Sequence, residues 1–406
     1  MALSKIFKIK NASIVFILIL TSSCIDDTNR LEENVTGNDN GNLTQSAIIS
    51  AFNGNIDLNN LENYENQTIP NYIDDDNTEN NPITDEGATL GRVLFYDKSL
   101  STNNQIACAS CHLQAFAFGD INQTSTGVNG ETGRHSMRLV NARFGNEENF
   151  FWDERANSLE NQTTQPIEDH IEMGFSGQNG APDFNDLINK LEQIDYYQEL
   201  FTFVYGNANI TEQRIQNSLA QFIRSIQSFD SKYDEGRSQV NNNNANFPNF
   251  SALENQGKQL FMQNSDLNNN GVRTGGGLDC NGCHQAPEFD IRGNSDNNGV
   301  VHTIAGDALD FDIVRSPTLR NSLRANGNLN GPMMHTGDFE TMDEVIDHYN
   351  NINANGNPNL DNRLQENGNG QQLNITQNER TALLAFLQTL DGVDVYTNPK
   401  WSDPFN

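Results

Sequence analysis

The sequence predicts a mainly α-helical protein with little β structure, built as two tandem related domains. Three observations carry that expectation. The pentapeptide Cys108-Ala109-Ser110-Cys111-His112 returns as Cys280-Asn281-Gly282-Cys283-His284. A G-x-x-L-F helix end precedes each copy, Gly91-Arg92-Val93-Leu94-Phe95 and Gly257-Lys258-Gln259-Leu260-Phe261. An amphipathic helix then closes each half. Ile215, Leu219, Phe222, Ile223 and Ile226 share one face of the first closing helix, and Leu383, Phe386, Leu387 and Leu390 one face of the second. Ser251 with Glu254 and Thr376 with Glu379 supply capping boxes for the two second-half helices.

The pentapeptide reads C-x-x-C-H, the attachment signature of c-type haem. Its two thiols add to the haem vinyl groups, and the histidine lies under the iron as an axial ligand. The two copies use every cysteine except Cys24. They therefore predict two covalently bound haem c groups in two cytochrome c-like domains. Cys108, Cys111 and His112 would hold the first, and Cys280, Cys283 and His284 the second. Zinc competes on ligand type, but the two sites would have to combine or each find another ligand. A thioredoxin-like redox pair is a further competing reading.

Residues 1–24 read as a lipoprotein export signal. Lys5, Lys8 and Lys10 form the basic start, and an apolar run over 14–20 is too short to span a bilayer. Thr21-Ser22-Ser23-Cys24 resembles a loose lipobox with Cys24 as the lipidated residue; ordinary cleavage with loss of Cys24 is the alternative. The expected location is the outer membrane, facing the periplasm or the cell surface. Residues 25–80, rich in Asn, Asp, Glu and Thr, read as a flexible polar tether. Residues 81–245 and 246–406 are the expected N-terminal and C-terminal haem domains. With 54 acidic against 24 basic residues among 406, nucleic acid is excluded as a partner. The charge reads as a solvated surface or as steering of a basic redox partner.

The repeat also bears on reactivity. Ser136-x-x-Leu139-x-Asn141 matches Ser316-x-x-Leu319-x-Asn321, and residues 152–160 align without gaps on 335–343. That pairing sets Ser158 on Thr341 and Pro166 on Tyr349. A tyrosine can supply an oxygen ligand to iron, whereas a proline has no ligating side chain. The first haem is thus expected to be open, or held by something more easily displaced. Glu172 and Gln162 flank Pro166 and are candidates for a proton relay and a hydrogen bond at bound peroxide. On position alone, Glu172 reads rather as a solvated helix-end carboxylate.

From about residue 85 to 395 the chain resembles the bacterial di-haem cytochrome c peroxidases. The resemblance runs through Leu90-Gly91-Arg92-Val93-Leu94-Phe95-Tyr96-Asp97, both haem motifs and Phe151-Trp152-Asp153-Glu154-Arg155. It continues through Ser158-Leu159-Glu160, Gln162, Pro166-Ile167 and Glu172-Met173-Gly174. In the second half it takes in Pro317-Thr318-Leu319-Arg320-Asn321, Pro332-Met333-Met334-His335 and Asp343-Glu344-Val345. It implies a peroxidatic N-terminal haem and an electron-transfer C-terminal haem. Glu172 would be the distal acid–base residue, Gln162 its neighbour, and Trp152 the electron path between haems; core packing is the plainer reading of Trp152. The implied partners are hydrogen peroxide and a small electron donor, a cytochrome c or copper protein. Calcium on the carbonyls of Asn330 and Pro332 is also implied, and a homodimer is expected.

Two departures from the family pattern stand out. Around Gly127-Val128-Asn129 the chain lacks the family's displaceable loop histidine; His135 is the nearest substitute ligand, against a structural role. Tyr349 stands where many peroxidases of this family have methionine, and resembles the methylamine-utilisation di-haem enzymes. Its alternative is packing, with Met334 or no side chain at the sixth position; His348 is a further candidate. His170, His302 and His335 read as structural. The expected function is reduction of hydrogen peroxide to water. The alternatives are oxidation of a protein side chain or organic substrate through high-valent iron, and a non-catalytic di-haem electron carrier.

Overall fold

The computed structural model describes residues 45–146, 149–291, 293–306 and 308–406. The expected signal, Cys24 and the start of the expected tether lie outside the described residues. The chain is mainly helical with little strand. In order come α1 Ser46–Phe52, α2 Asp85–Tyr96, the short haem-motif turn α3 Cys108–Cys111, α4 Leu159–Glu168, α5 Phe184–Leu191 and α6 Asp195–Tyr205. Then follow α7 Glu212–Ser225, α8 Lys232–Arg237, α9 Ala252–Met262, β1 Ser265–Leu267, β2 Arg273–Gly276 and α10 Met342–Asn350. Last are β3 Gln365–Glu366, β4 Asn369–Gly370 and α11 Gln377–Leu387. β1 pairs antiparallel with β2, and β3 with β4.

Local chemistry sets the helix starts. The Thr84 hydroxyl accepts from Gly87 N, with Asp85 and Glu86 in the first turn of α2, where acids suit the helix dipole. The expected boxes at Ser251/Glu254 and Thr376/Glu379 open α9 and α11.

α2 packs on α7 and α9 on α11, one crossing used twice. It explains the glycine of each G-x-x-L-F. A Cβ on Gly91 would lie 1.9 Å from the Ser218 carbonyl oxygen, and one on Gly257 would lie 1.9 Å from that of Ala382. Only a residue without a side chain admits that approach. We predict that Gly257→Ala costs about 1–3 kcal/mol through overpacking. The denaturant midpoint measures this, and an unmoved midpoint would contradict the crossing.

Most buried apolar side chains form two clusters. Leu94, Phe95, Leu219 and Phe222 belong to the first; Phe261, Phe289, Phe386 and Leu387 belong to the second. The expected division at 245/246 is crossed from both sides. Tyr233 of α8 packs in the second cluster, whereas Val395 and Trp401 return to the first. Trp401 Nε1 donates to Ser225 Oγ at 3.2 Å.

The expected tether is corrected over 45–80. Ile48, Phe52, Ile56, Leu58 and Tyr64 are buried in the first cluster. Glu199 accepts from Ala47 N and Ile48 N, both at 3.1 Å, satisfying donors at the start of α1. A few well-spaced apolar residues anchor a segment whose mean composition is polar.

Arg320, 0% exposed, donates to Asp234 of α8 through Nη1 at 2.8 Å and Nη2 at 2.9 Å. Tyr72 OH donates to the same carboxylate at 2.9 Å. This joins the Arg320 motif of the second half to the α8 junction and the N-terminal segment.

Candidate active site

Two helices with matched starts carry the distal positions. Ser158 caps α4 by accepting from Asn161 N, and Thr341 caps α10 by accepting from Glu344 N. Pro166 and Tyr349 stand at the same distance from those caps, as the ungapped pairing requires. Pro166 lies inside α4 and has no N–H to donate to the Gln162 carbonyl one turn back.

His112, Gln162, Pro166 and Glu172 line one cavity of about 450 Å³. A narrower space bordered by the same four residues reaches Cys108 and Cys111. His112 Nδ1 lies 3.1 Å from the Phe118 carbonyl oxygen, so Nδ1 is the donor and Nε2 keeps its lone pair. Burial lowers the His112 pKa and keeps the ring neutral. The second motif repeats the arrangement. Cys280, Cys283, His284 and Tyr349 border one cavity, and His284 Nδ1 lies 3.0 Å from the Pro317 carbonyl oxygen. Burial pulls the His284 pKa down to about 4. Paired thiols beside a neutral histidine fixed in the ligating tautomer, all bordering a cavity, fit haem c at both motifs.

The competing readings of the cysteines fit less well. Burial pushes the Cys108 and Cys280 thiols up to about 12, the opposite of what a thiolate nucleophile needs. Among the described residues no group of three or more His, Cys, Asp and Glu is placed to hold a metal ion.

Glu172 is held from its backbone. Asp169 Oδ1 accepts from Glu172 N at 2.9 Å and from Ile171 N at 2.8 Å. The facing loop, where a displaceable histidine was missing, pairs with the same segment: Val128 N donates to Glu172 O at 2.9 Å and Asn129 N to Ile171 O at 3.1 Å. A Cβ on Gly127 would lie 2.1 Å from the Ile171 carbonyl oxygen. Gly127→Ala is therefore expected to displace Glu172 and lower activity with haem content intact; unchanged activity would contradict the contact. Burial, reinforced by Asp169 and opposed by Arg155, pushes the Glu172 carboxyl up to about 7. Arg155 itself stacks 3.5 Å from the Phe151 ring centroid, a contact sequence reading missed.

Trp152 borders both the His112 cavity and one lined by His284, Met334 and Tyr349. Its Nε1 donates to His135 O at 2.7 Å, and its ring lies 6.3 Å from that of His335, its counterpart in the repeat. His135 lines the wider His112 cavity, with Nδ1 3.0 Å from Asn122 O. Burial raises the Tyr349 pKa well above the ordinary phenol value. Met334 Sδ lies 3.5 Å from Asn298 Nδ2. His348 Nε2 is engaged by Asn298 O at 2.9 Å, and His302 Nε2 by Asp338 at 2.6 Å. His335 is 1% exposed and His170 is exposed. The Asn330 side chain donates to Asn321 O at 2.7 Å and Tyr396 OH at 2.6 Å, and accepts from Arg324 Nε at 2.6 Å. Pro332 lines the cavity containing His284 and Met334.

Residues 85–242 match the family model described as di-haem cytochrome c peroxidase. Over that stretch, which carries the first haem motif, the chain is similar to the di-haem cytochrome c peroxidase family. That similarity implies two haem c groups, one for each of the two motifs. The methylamine utilization protein MauG of Methylophilus methylotrophus is 28% identical over 323 residues, covering 77% of this chain and 84% of that protein. The cytochrome c551 peroxidase of Nitrosomonas europaea is 26% identical over 326 residues, covering 77% of this chain and 81% of that protein. Among solved structures, a MauG-like protein associated with microbial copper homeostasis superposes with a TM-score of 0.62 at 26% identity, over 84% of this chain and 99% of that one.

Proposed function

We propose that this protein reduces hydrogen peroxide to water with electrons from a small redox protein, a cytochrome c or a copper protein. The contrast between the two cavities carries the reading. The His112 cavity sets Gln162 and Glu172 beside a proline, at the position where the His284 cavity has Tyr349. Haem c attached at Cys108 and Cys111 would supply the iron that binds peroxide and the electrons that reduce it. The chain manages the proton. Peroxide reduction requires a proton to pass from one oxygen to the other as the O–O bond breaks. A carboxyl poised at about 7 is suited to accept that proton at its oxygen and return it. The Gln162 amide supplies a donor and an acceptor for orientation, and Trp152 supplies the path between haems.

Peroxide-dependent oxidation of a reduced cytochrome c or copper protein tests the reading. Absence of turnover with both donors in a protein carrying two haems would contradict it. The carboxylate is the form of Glu172 that accepts the proton, so turnover should fall as pH drops through about 7. A profile flat between about pH 6 and 8 would contradict the assignment.

Tyr349 favours a second reading, oxidation of a protein side chain or organic substrate. Oxidised substrate formed in step with peroxide consumption, without a redox-protein donor, would support it. Tandem haem domains over 81–245 and 246–406 belong to the principal reading. So do export to the outer membrane, a lipid on Cys24, calcium on the Asn330 and Pro332 carbonyls, and a homodimer. Fatty-acid labelling that is lost in Cys24→Ala would test the anchor; labelling unchanged by the substitution would contradict it.

A further inference from the structure

Arg138 borders both the His112 cavity and the cavity lined by His284, Met334 and Tyr349. Among the described residues its charge has no acid. Nε is buried without a hydrogen-bond partner, and Nη1 reaches the Met333 thioether at 3.8 Å, a weak acceptor. Burial pulls its pKa down to about 10, and the group opposing this is the Tyr396 phenol rather than a carboxylate. In a chain with 54 acids against 24 bases that is unusual. The other arginines at these cavities have acids: Arg134 pairs with Asp153 and Asp310, Arg155 with Asp153 and Arg315 with Asp290, as Arg363 does with Asp361 at the cavity of Cys280 and Cys283.

The repeat sharpens the contrast. Ser136-x-x-Leu139 on Ser316-x-x-Leu319 sets Arg138 on Thr318, whose hydroxyl donates to Glu288 O at 2.8 Å. The second half thus has a neutral group satisfied by protein where the first half has a cation that is not. Room is made for the arginine stem: a Cβ on Gly119 would come within 2.7 Å of Arg138 Cγ. A buried cation is retained at such a cost where an anion pairs with it. Haem c attached at the two motifs would bring carboxylates, its propionates, to supply such an anion.

We propose that Arg138 is the counter-ion of a propionate on the haem attached at Cys280 and Cys283, and that its charge raises that haem's reduction potential. The Arg138 charge bears on His284 and His135, whereas Asp120 and backbone carbonyls bear on His112. A nearby positive charge disfavours ferric relative to ferrous iron, because the ferric form carries one more positive charge. A tyrosine oxygen ligand acts in the opposite direction, so Arg138 keeps the second haem reducible by a donor protein. The proposal rests on haem c filling the second cavity.

Spectroelectrochemical titration of the full holoprotein, with each haem assigned by its EPR spectrum, tests it. In Arg138→Gln the ferrous-to-ferric ratio of the second haem at fixed potential should fall about tenfold, a midpoint about 59 mV lower. The first haem should move less, and Arg138→Lys should recover most of the loss. Should Arg138→Gln fail to accumulate, Gly119→Ala, which presses on the same stem, should lower the same midpoint. An unmoved second midpoint, a shift confined to the first haem, or a lysine variant as low as the glutamine one would overturn the pairing. A pyridine haemochrome assay separates the two levels. One haem per chain overturns the underlying reading, whereas two haems with unshifted potentials overturn only the role of Arg138.

Discussion

Glu172→Gln should leave both haems attached and the fold intact while lowering peroxide turnover about 10²–10⁴-fold, the usual contribution of a positioned acid–base group. The amide keeps the shape of the side chain and cannot take up the peroxide proton. Its segment is fixed independently by Asp169 Oδ1 and by the Val128 amide, so the substitution removes chemistry rather than position. The ionisation near 7 in the pH profile should vanish with the residual activity. Haem content and turnover measured on one preparation check both parts. Turnover equal to the parent protein would remove Glu172 from the mechanism.

Arg320→Met should cost about 3–5 kcal/mol of stability, because it strands a carboxylate in the interior. Asp234 is 4% exposed and accepts two guanidinium hydrogen bonds as well as the Tyr72 hydroxyl. Removing the cation leaves that anion with neutral donors, the Tyr72 and Ser231 hydroxyls and the Ser231 amide, and no opposing charge. Replacing both partners, Arg320→Met with Asp234→Leu, should cost less than the single change, since no orphan charge remains. Denaturant unfolding of the three proteins distinguishes these outcomes. A single variant as stable as the parent would contradict the pairing.

Much of the site could be read from local signals. The two C-x-x-C-H motifs need only neighbouring residues, and each sits at a cavity with a histidine whose Nδ1 faces a carbonyl. The repeat placed Pro166 against Tyr349, and matched N-caps at Ser158 and Thr341 give that pairing a structural basis. The role proposed for Glu172 needed the family resemblance, because a half-buried carboxylate and a solvated one look alike in sequence.

What escaped depends on contacts between distant residues. Ile48 and Phe52 read as scattered apolars in a polar tether until the first cluster receives them. Gly91 and Gly257 were legible as a repeat, but the opposing carbonyls of Ser218 and Ala382 were not. Arg138 drew no notice in the sequence, because its want of an acid appears only when the surroundings are assembled.

The central claim is that peroxide chemistry belongs to the His112 cavity. EPR of the resting ferric holoprotein, repeated after peroxide is added, tests it most directly. The account predicts one high-spin haem whose signal changes rapidly with peroxide, beside one low-spin haem. Two low-spin haems that stay inert to peroxide even after partial reduction would contradict it.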